Sequence, residues 1–222
     1  SIEWSGDTTQ GDRAEVALEV RVSGAEGEVT YEWDFGDGTC VTNNTGSFSH
    51  IYVRAGFYTV RVTVSDEAGH SATRACPSQI KVLPATCYVS SAGSHEPPYA
   101  TRETGAASIL DVREFSPSKI VVCADTTSNK SGDGSDKLCN LDYAVELVGE
   151  DPVSSVIADR VHVNHASAVM RGLTCTSSKY QQSTDIGTFA LTAGLVSTVT
   201  FTGCSPIPRS TANREVLKIY AG

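Results

Sequence analysis

The chain has 222 residues, 40% hydrophobic and 19% charged, enough to build a core and too apolar for a disordered polypeptide. Seventeen basic side chains face 26 acidic ones, a net charge of −9, which argues against nucleic-acid partners and anionic membranes because phosphate recognition needs a Lys/Arg surface. No apolar run approaches the roughly 20 residues that span a bilayer, so no membrane insertion is expected. The length admits one or two domains. Ser1 leads straight into folded-looking sequence, and any signal peptide is expected to have been removed or to lie outside this sequence.

Residues 14–22 alternate cleanly, with Val16, Leu18, Val20 and Val22 inward and Glu15, Ala17, Glu19 and Arg21 outward, the pattern of a half-buried antiparallel strand. Gly24 through Glu28 turn the chain into Tyr31-Glu32-Trp33-Asp34-Phe35, whose three aromatics share one strand face. Gly36-Asp37-Gly38 stops that strand, and 39–47 reads as a polar connection. Tyr58, Val60, Val62 and Val64 line the inner side of a strand over 57–66, and a last strand is expected around 71–82. Six or seven short strands separated by turns make a two-sheet sandwich. Asp34, Asp37 and Asp66 suit backbone capping beside glycine turns better than metal binding, and His50 with Tyr52 reads as a corner-fixing pair.

The run from Tyr31 to Gly38, then His50-Ile51-Tyr52, Gly56-Phe57-Tyr58-Thr59-Val60, Val62-Thr63-Val64-Ser65-Asp66 and Gly69, resembles the signature of the polycystic kidney disease (PKD) domain. The resemblance covers about residues 1–84. It implies an immunoglobulin-like β-sandwich, a non-catalytic spacer or binding role, and a secreted or cell-surface setting.

Leu83-Pro84-Ala85-Thr86 reads as a short stiff linker. Beyond it, Cys87–Thr101 reads as a strand and a Pro-rich turn, and 102–115 as an amphipathic helix ended by Ser116-Pro117. Apolar bursts follow at 120–122, 144–149, 161–163, 168–174, 189–191, 199–204 and 216–220. Their recurrence every 20–30 residues or so is solenoid spacing, in which each rung buries its core face on the next.

Tyr88-Val89-Ser90, Gly93-Ser94, Pro97-Pro98-Tyr99, Lys119-Ile120-Val121-Val122, the 145–152 run and Val169-Met170-Arg171-Gly172-Leu173-Thr174 resemble the N-terminal cap and first rungs of bacterial right-handed parallel β-helix proteins of the pectin-lyase-like type. The fold class expected is therefore all-β: an immunoglobulin-like sandwich over 1–84, then a short right-handed parallel β-helix over 85–222 with one N-terminal capping helix. Together the two resemblances imply a rigid two-domain rod. Few rungs are visible and the chain ends just past an apolar strand, so a fragment of a longer polypeptide is expected, or edge pairing of the C-terminal rung with another chain.

β-Helix enzymes that act on acidic polysaccharides use clustered carboxylates with Ca²⁺, an Arg or Lys base, or a set of Asp residues. The catalytic candidates here are Asp159 and Arg160, near His162, His165 and Arg171, although a solvated turn accounts for Asp159-Arg160 as well. Asp133 and Asp136 in the 128–137 loop, with Asp142 nearby, are the metal candidates, with Ca²⁺ the only cofactor considered and a mobile polar loop the simpler reading. Tyr99, Tyr143 and Tyr180 are candidates for stacking on sugar rings. Seven cysteines include no C-x-x-C pair, Cys40–Cys76 and Cys76–Cys87 are candidate bridges, and Cys123, Cys175 and Cys204 read as small buried hydrophobes. Asn43-Asn44-Thr45 and Asn129-Lys130-Ser131 fit the glycosylation sequon. The function expected is a non-catalytic surface module that binds polysaccharide or a surface protein. The alternatives are a bare spacer and a β-helix polysaccharide lyase or glycoside hydrolase.

Overall fold

The computed structural model describes residues 2–5, 9–10, 14–128, 138–158, 160–176, 189–202 and 217–219, in two compact units, Ser1–Leu83 and Pro84–Gly222. The first unit holds β1 (Ile2–Ser5), β2 (Thr9–Gln10), β3 (Ala14–Val22), β4 (Val29–Asp34) and β5 (Cys40–Asn43). It continues with β6 (Ser47–Tyr52), β7 (Gly56–Tyr58), β8 (Arg61–Asp66), β9 (Ser71–Ala75) and β10 (Ile80–Val82). They form sheets in the orders β1-β3-β6, β2-β10-β7 and β5-β4-β8-β9.

One core serves all three sheets, built from the alternating inward residues Val16, Leu18 and Val20 of β3, Tyr31 and Trp33 of β4, Val62 and Val64 of β8, and Ile80 and Val82 of β10. Trp33 is fully buried, and its ring stacks between Tyr31 at 6.5 Å and Phe35 at 6.3 Å. Its indole N–H donates to Asn43 Oδ1 at 3.2 Å. Asn43 Nδ2 in turn donates to Ser47 O, so this sequon asparagine already works as a strap between β4, β5 and β6. The connection expected over 39–47 contains strand β5, and the single strand expected over 71–82 is two strands in different sheets. Pro77 separates them, because proline cannot donate to a ladder.

The second unit begins with β11 (Thr86–Val89), α1 (Ile109–Arg113), β12 (Lys119–Val122), β13 (Thr126–Ser128), β14 (Leu138–Leu141) and β15 (Glu146–Gly149). Then come β16 (Ser155–Ile157), β17 (Arg160–Thr176), β18 (Phe189–Thr202) and β19 (Leu217–Ile219). All pair in parallel within one nine-stranded sheet that is nearly barrel-shaped. The apolar bursts at 161–163 and 168–174 are one strand, β17, with register irregularities between Val163 and Val169. The burst at 189–191 and the 199–202 part of the burst at 199–204 likewise meet in β18, and residues 203–204 lie outside the described residues.

Three ladders result. In the first, Cys87, Ile120, Leu147, Met170 and Val196 stand in register. In the second, Ser128, Ile157, Cys175 and Phe201 align. In the third, Leu141, Val163 and Leu191 align. Cys87, Ile120, Leu147 and Met170 of the first ladder, Ile157 and Cys175 of the second, and Leu141 and Val163 of the third are buried in the second core, and Val196 and Leu191 pack against it half-buried. Polar corners are satisfied locally: Ser155 Oγ donates to Val122 O at 2.9 Å, and Ser128 Oγ accepts from Ile109 N at 2.9 Å. At Gly149 the next turn of chain comes so close that an added Cβ would lie 2.1 Å from Gly172 O.

The helix is shorter than the 102–115 expected. Ser108 caps it by accepting from Leu110 N, and the residues before it are engaged at the edge of β11, where Ala106 N donates to Tyr88 O and Ser90 N to Ala106 O. Backbone groups spent on that edge are not free for helical bonds.

Neither bridge proposed for Cys76 forms, since Cys40, Cys76 and Cys87 stand as thiols. Cys40 is exposed on β5 and Cys76 is buried just beyond β9, with β4 and β8 in between. Three strand spacings of nearly 5 Å put them roughly 14 Å apart, about twice the reach of a disulfide. Cys87 is fully buried, and burial pushes its thiol up to about 12. Brief treatment of the native chain with a thiol reagent is therefore expected to label Cys40 ahead of Cys76, Cys87 and Cys123. Peptide mass spectrometry would read this, and early label on Cys87 would contradict the packing.

Candidate functional site

In the first unit the chemistry-bearing residues gather at the corner after β4. Asp34 Oδ1 accepts from Gly36 N and Asp37 Oδ1 from Thr39 N, each at 2.9 Å, so both carboxylates cap the turn that the glycines open. His50 Nε2 lies 2.8 Å from Asp37 Oδ2, and its ring stacks on Phe35 with centroids 4.0 Å apart. Tyr52 Oη donates to Phe35 O at 3.0 Å, and burial raises its hydroxyl well above the usual tyrosine range. Imidazole and carboxylate thus pair with each other to fix a corner, and among the described residues no serine or cysteine nucleophile enters the pair.

Asp66 plays the same part at the far end of β8. Its carboxylate accepts from Glu26 N and His70 N and lies 3.0 Å from His70 Nδ1. The Glu26 N–H, against the opposing pull of burial and with help from the His70 N–H, holds its pKa down at about 2. A folded value below the ordinary 3.8 contributes stability that is complete above about pH 4 and is lost as pH falls toward 2. Thermal melts across that range should show Asp66→Ala less stable than the parent at neutral pH and less sensitive to acid. Parallel acid limbs would contradict this.

In the second unit the charged residues lie on outward strand positions, on the helix and in the turns between strands. On the first ladder, Glu146 stands beside Lys119 of β12, with Nζ at 3.4 Å, and Arg171 of β17, whose Nε donates at 2.8 Å. The Arg171 hydrogen bond, against some burial and aided by Lys119, draws Glu146 below the usual range. Glu150 pairs with Arg102 and accepts from Ala124 N at 2.9 Å; burial works against it, but these donors leave its pKa lowered. Asp151, accepting from Ser154 N and Val153 N, and Glu103 are lowered as well. On the third ladder, Asn140 and His162 stand in register with Oδ1 and Nδ1 3.2 Å apart, and Arg113 donates to Asn140 O and, at 2.8 Å, to Asp142 Oδ1.

The sequence candidates fall unevenly on this surface. Asp133, Asp136, Asp159 and Tyr180 lie outside the described residues; Arg160 opens β17 opposite Leu138. Tyr99 is 9% exposed and packs edge-on against Phe115 at 5.6 Å, so its ring faces the core. Tyr143 is half-buried against the same core, its hydroxyl raised by burial and without a hydrogen-bond partner among the described residues. Within the described residues no group of three or more His, Cys, Asp or Glu side chains is arranged as metal ligands, and no helix is long and apolar enough to cross a membrane. Sequence reasoning passed over the Lys119–Glu146–Arg171 row. Its signal was a charged residue directly before two successive apolar triads, Lys119-Ile120-Val121-Val122 and Glu146-Leu147-Val148-Gly149, of opposite sign and one rung apart.

The sandwich and its aromatic corner define an immunoglobulin-like domain. Residues 7–76 match the family model of the PKD domain, and the N-terminal unit belongs to that family. Among solved structures, the PKD1 domain of Vibrio anguillarum Epp is 31% identical, over 37% of this chain and 93% of that one, with a TM-score of 0.31. The PKD1 domain from Vibrio cholerae metalloprotease PrtV is 30% identical, over 36% and 93%, also with a TM-score of 0.31.

Proposed function

We propose that the chain is a non-catalytic module of a secreted or cell-surface bacterial protein. In this reading the PKD domain and a short right-handed parallel β-helix of the pectin-lyase-like type bind polysaccharide or a surface protein and hold neighbouring modules apart. The three in-register parallel ladders, with one long strand contributing to each, support the β-helix reading of the second unit. The match of residues 7–76 to the PKD family model, whose resemblance implies a secreted or cell-surface setting, supports the extracellular reading.

One observation supports the non-catalytic reading over a glycoside hydrolase. Glu103, Glu146, Glu150 and Asp151 are all drawn below the ordinary carboxylate range by N–H, hydroxyl or cationic donors. A general acid for glycoside cleavage needs the opposite, a carboxyl raised toward neutrality. Glu146 and Glu150 act as fixed anions that tie neighbouring turns of the chain together, and Asp151 and Glu103 hold local turns, which suits a stiff surface with a constant charge pattern. Incubating the chain with acidic and neutral polysaccharides and measuring the protein left in solution tests the binding half. Depletion by at least one polymer is expected. Failure with every polymer and with extracellular proteins of the same source would contradict binding and leave spacing alone.

A further inference from the structure

We propose that Arg74 is an edge guard, a cation on the core-facing side of β9 that stops the first unit from extending its sheet onto a second copy of the chain. In the order β5-β4-β8-β9, β9 pairs with β8 alone among the described residues, so its outer N–H and C=O groups form an open edge. Directly paired residues share a face. Arg74 is paired with Val62 and Ala72 with Val64, so both stand on the side that carries the core. Val62 and Val64 are buried, yet all five residues of β9 are exposed, which means the strand overhangs the core.

Little else in β9 resists pairing. Ser71-Ala72-Thr73-Arg74-Ala75 contains neither proline nor glycine. Its other face carries hydroxyls already matched across the strands, Thr63 with Thr73 at 2.9 Å and Ser65 with Ser71 at 3.1 Å. A second copy could add antiparallel about a twofold centred on Thr73, with Ala72 opposite Arg74 of the other copy, an isologous contact. That contact would cover the two Arg74 guanidinium groups on the core side. Among the described residues Arg74 makes no ion pair, and its one hydrogen bond, Nη1 to Thr73 O at 3.1 Å, is local. Desolvating it without a carboxylate is unfavourable, so the edge stays open.

Sedimentation velocity of the full chain over a concentration series tests this, using the parent, Arg74→Val, and Arg74→Val combined with Ala72→Lys, which moves the charge two residues along the same face. Arg74→Val should shift to faster, concentration-dependent sedimentation, and the double variant should return to the parent profile. Arg74→Thr, a polar strand former, serves as a second test if the valine variant proves poorly soluble. Parent-like sedimentation of both single variants at every concentration would overturn the proposal. So would association that Ala72→Lys does not reverse.

Discussion

Replacing Trp33 by alanine is expected to remove about 3–5 kcal/mol from the first unit, the usual cost of deleting a buried aromatic. Trp33 is fully buried at the centre of an aromatic row formed by Tyr31, Phe35 and Phe48, so the cavity would open in the middle of the core. The loss also strands Asn43, whose Oδ1 accepts the indole N–H while its amide holds Ser47 O. For a domain of this size each kcal/mol shifts the midpoint by about 4–8 °C, so the transition should fall by roughly 12–40 °C. Circular dichroism melts of parent and variant measure it directly. An unchanged transition would place Trp33 outside the core.

Leu147→Asp is expected to be the most damaging single change in the second unit. Leu147 is fully buried in the first ladder, between Ile120 on one rung and Met170 on the next. Loss of the side chain alone costs about 2–5 kcal/mol, and a carboxylate with apolar neighbours above and below adds the penalty of an unpaired buried charge. The total should exceed about 4 kcal/mol and abolish the unit's cooperative transition. Val148→Asp is the control. Val148 points outward on the same strand, in register with Arg171, and its substitution should change stability by less than about 1 kcal/mol. Equal damage from both variants would contradict the alternation on which the ladder assignment rests.

The core face of the first unit was legible in the sequence to the level of individual side chains, although the single strand expected over 57–66 is two, β7 and β8, which belong to different sheets. Period-two alternation in β3 and β8 and the Tyr31-Trp33-Phe35 face are local signals, and each reappears as a core contact. The legible part ended where long-range pairing takes over. Cys40-Val41-Thr42-Asn43 reads as a polar connection because its reason for being a strand lies in β4, through Tyr31–Asn43 and Asp34–Cys40 pairing. In the second unit the recurrence of apolar bursts was visible, but the joining of two bursts into β17 was not. Polar residues between Val163 and Val169 break the pattern while the strand continues through an irregular register. The helix shortened for a similar reason, since Ala106 serves the edge of β11 before helical bonding can begin.

Among the site candidates, Tyr99 was the least legible. Tyr99 follows two prolines and looks like a loop aromatic, yet it turns inward to meet Phe115. Aspartates beside glycine turns were more transparent, because an Asx cap is made within a few residues of the side chain itself, as at Asp34 and Asp37.

The proposal that the chain is a non-catalytic module is the central one, and the most direct measurement is an assay for new chain ends after incubating the purified chain with acidic and neutral polysaccharides, with and without Ca²⁺. The account predicts no new ends above background under either condition. New ends that disappear on chelation, or on substitution of Asp159 or Arg160, would contradict it and make the second unit a polysaccharide lyase or glycoside hydrolase.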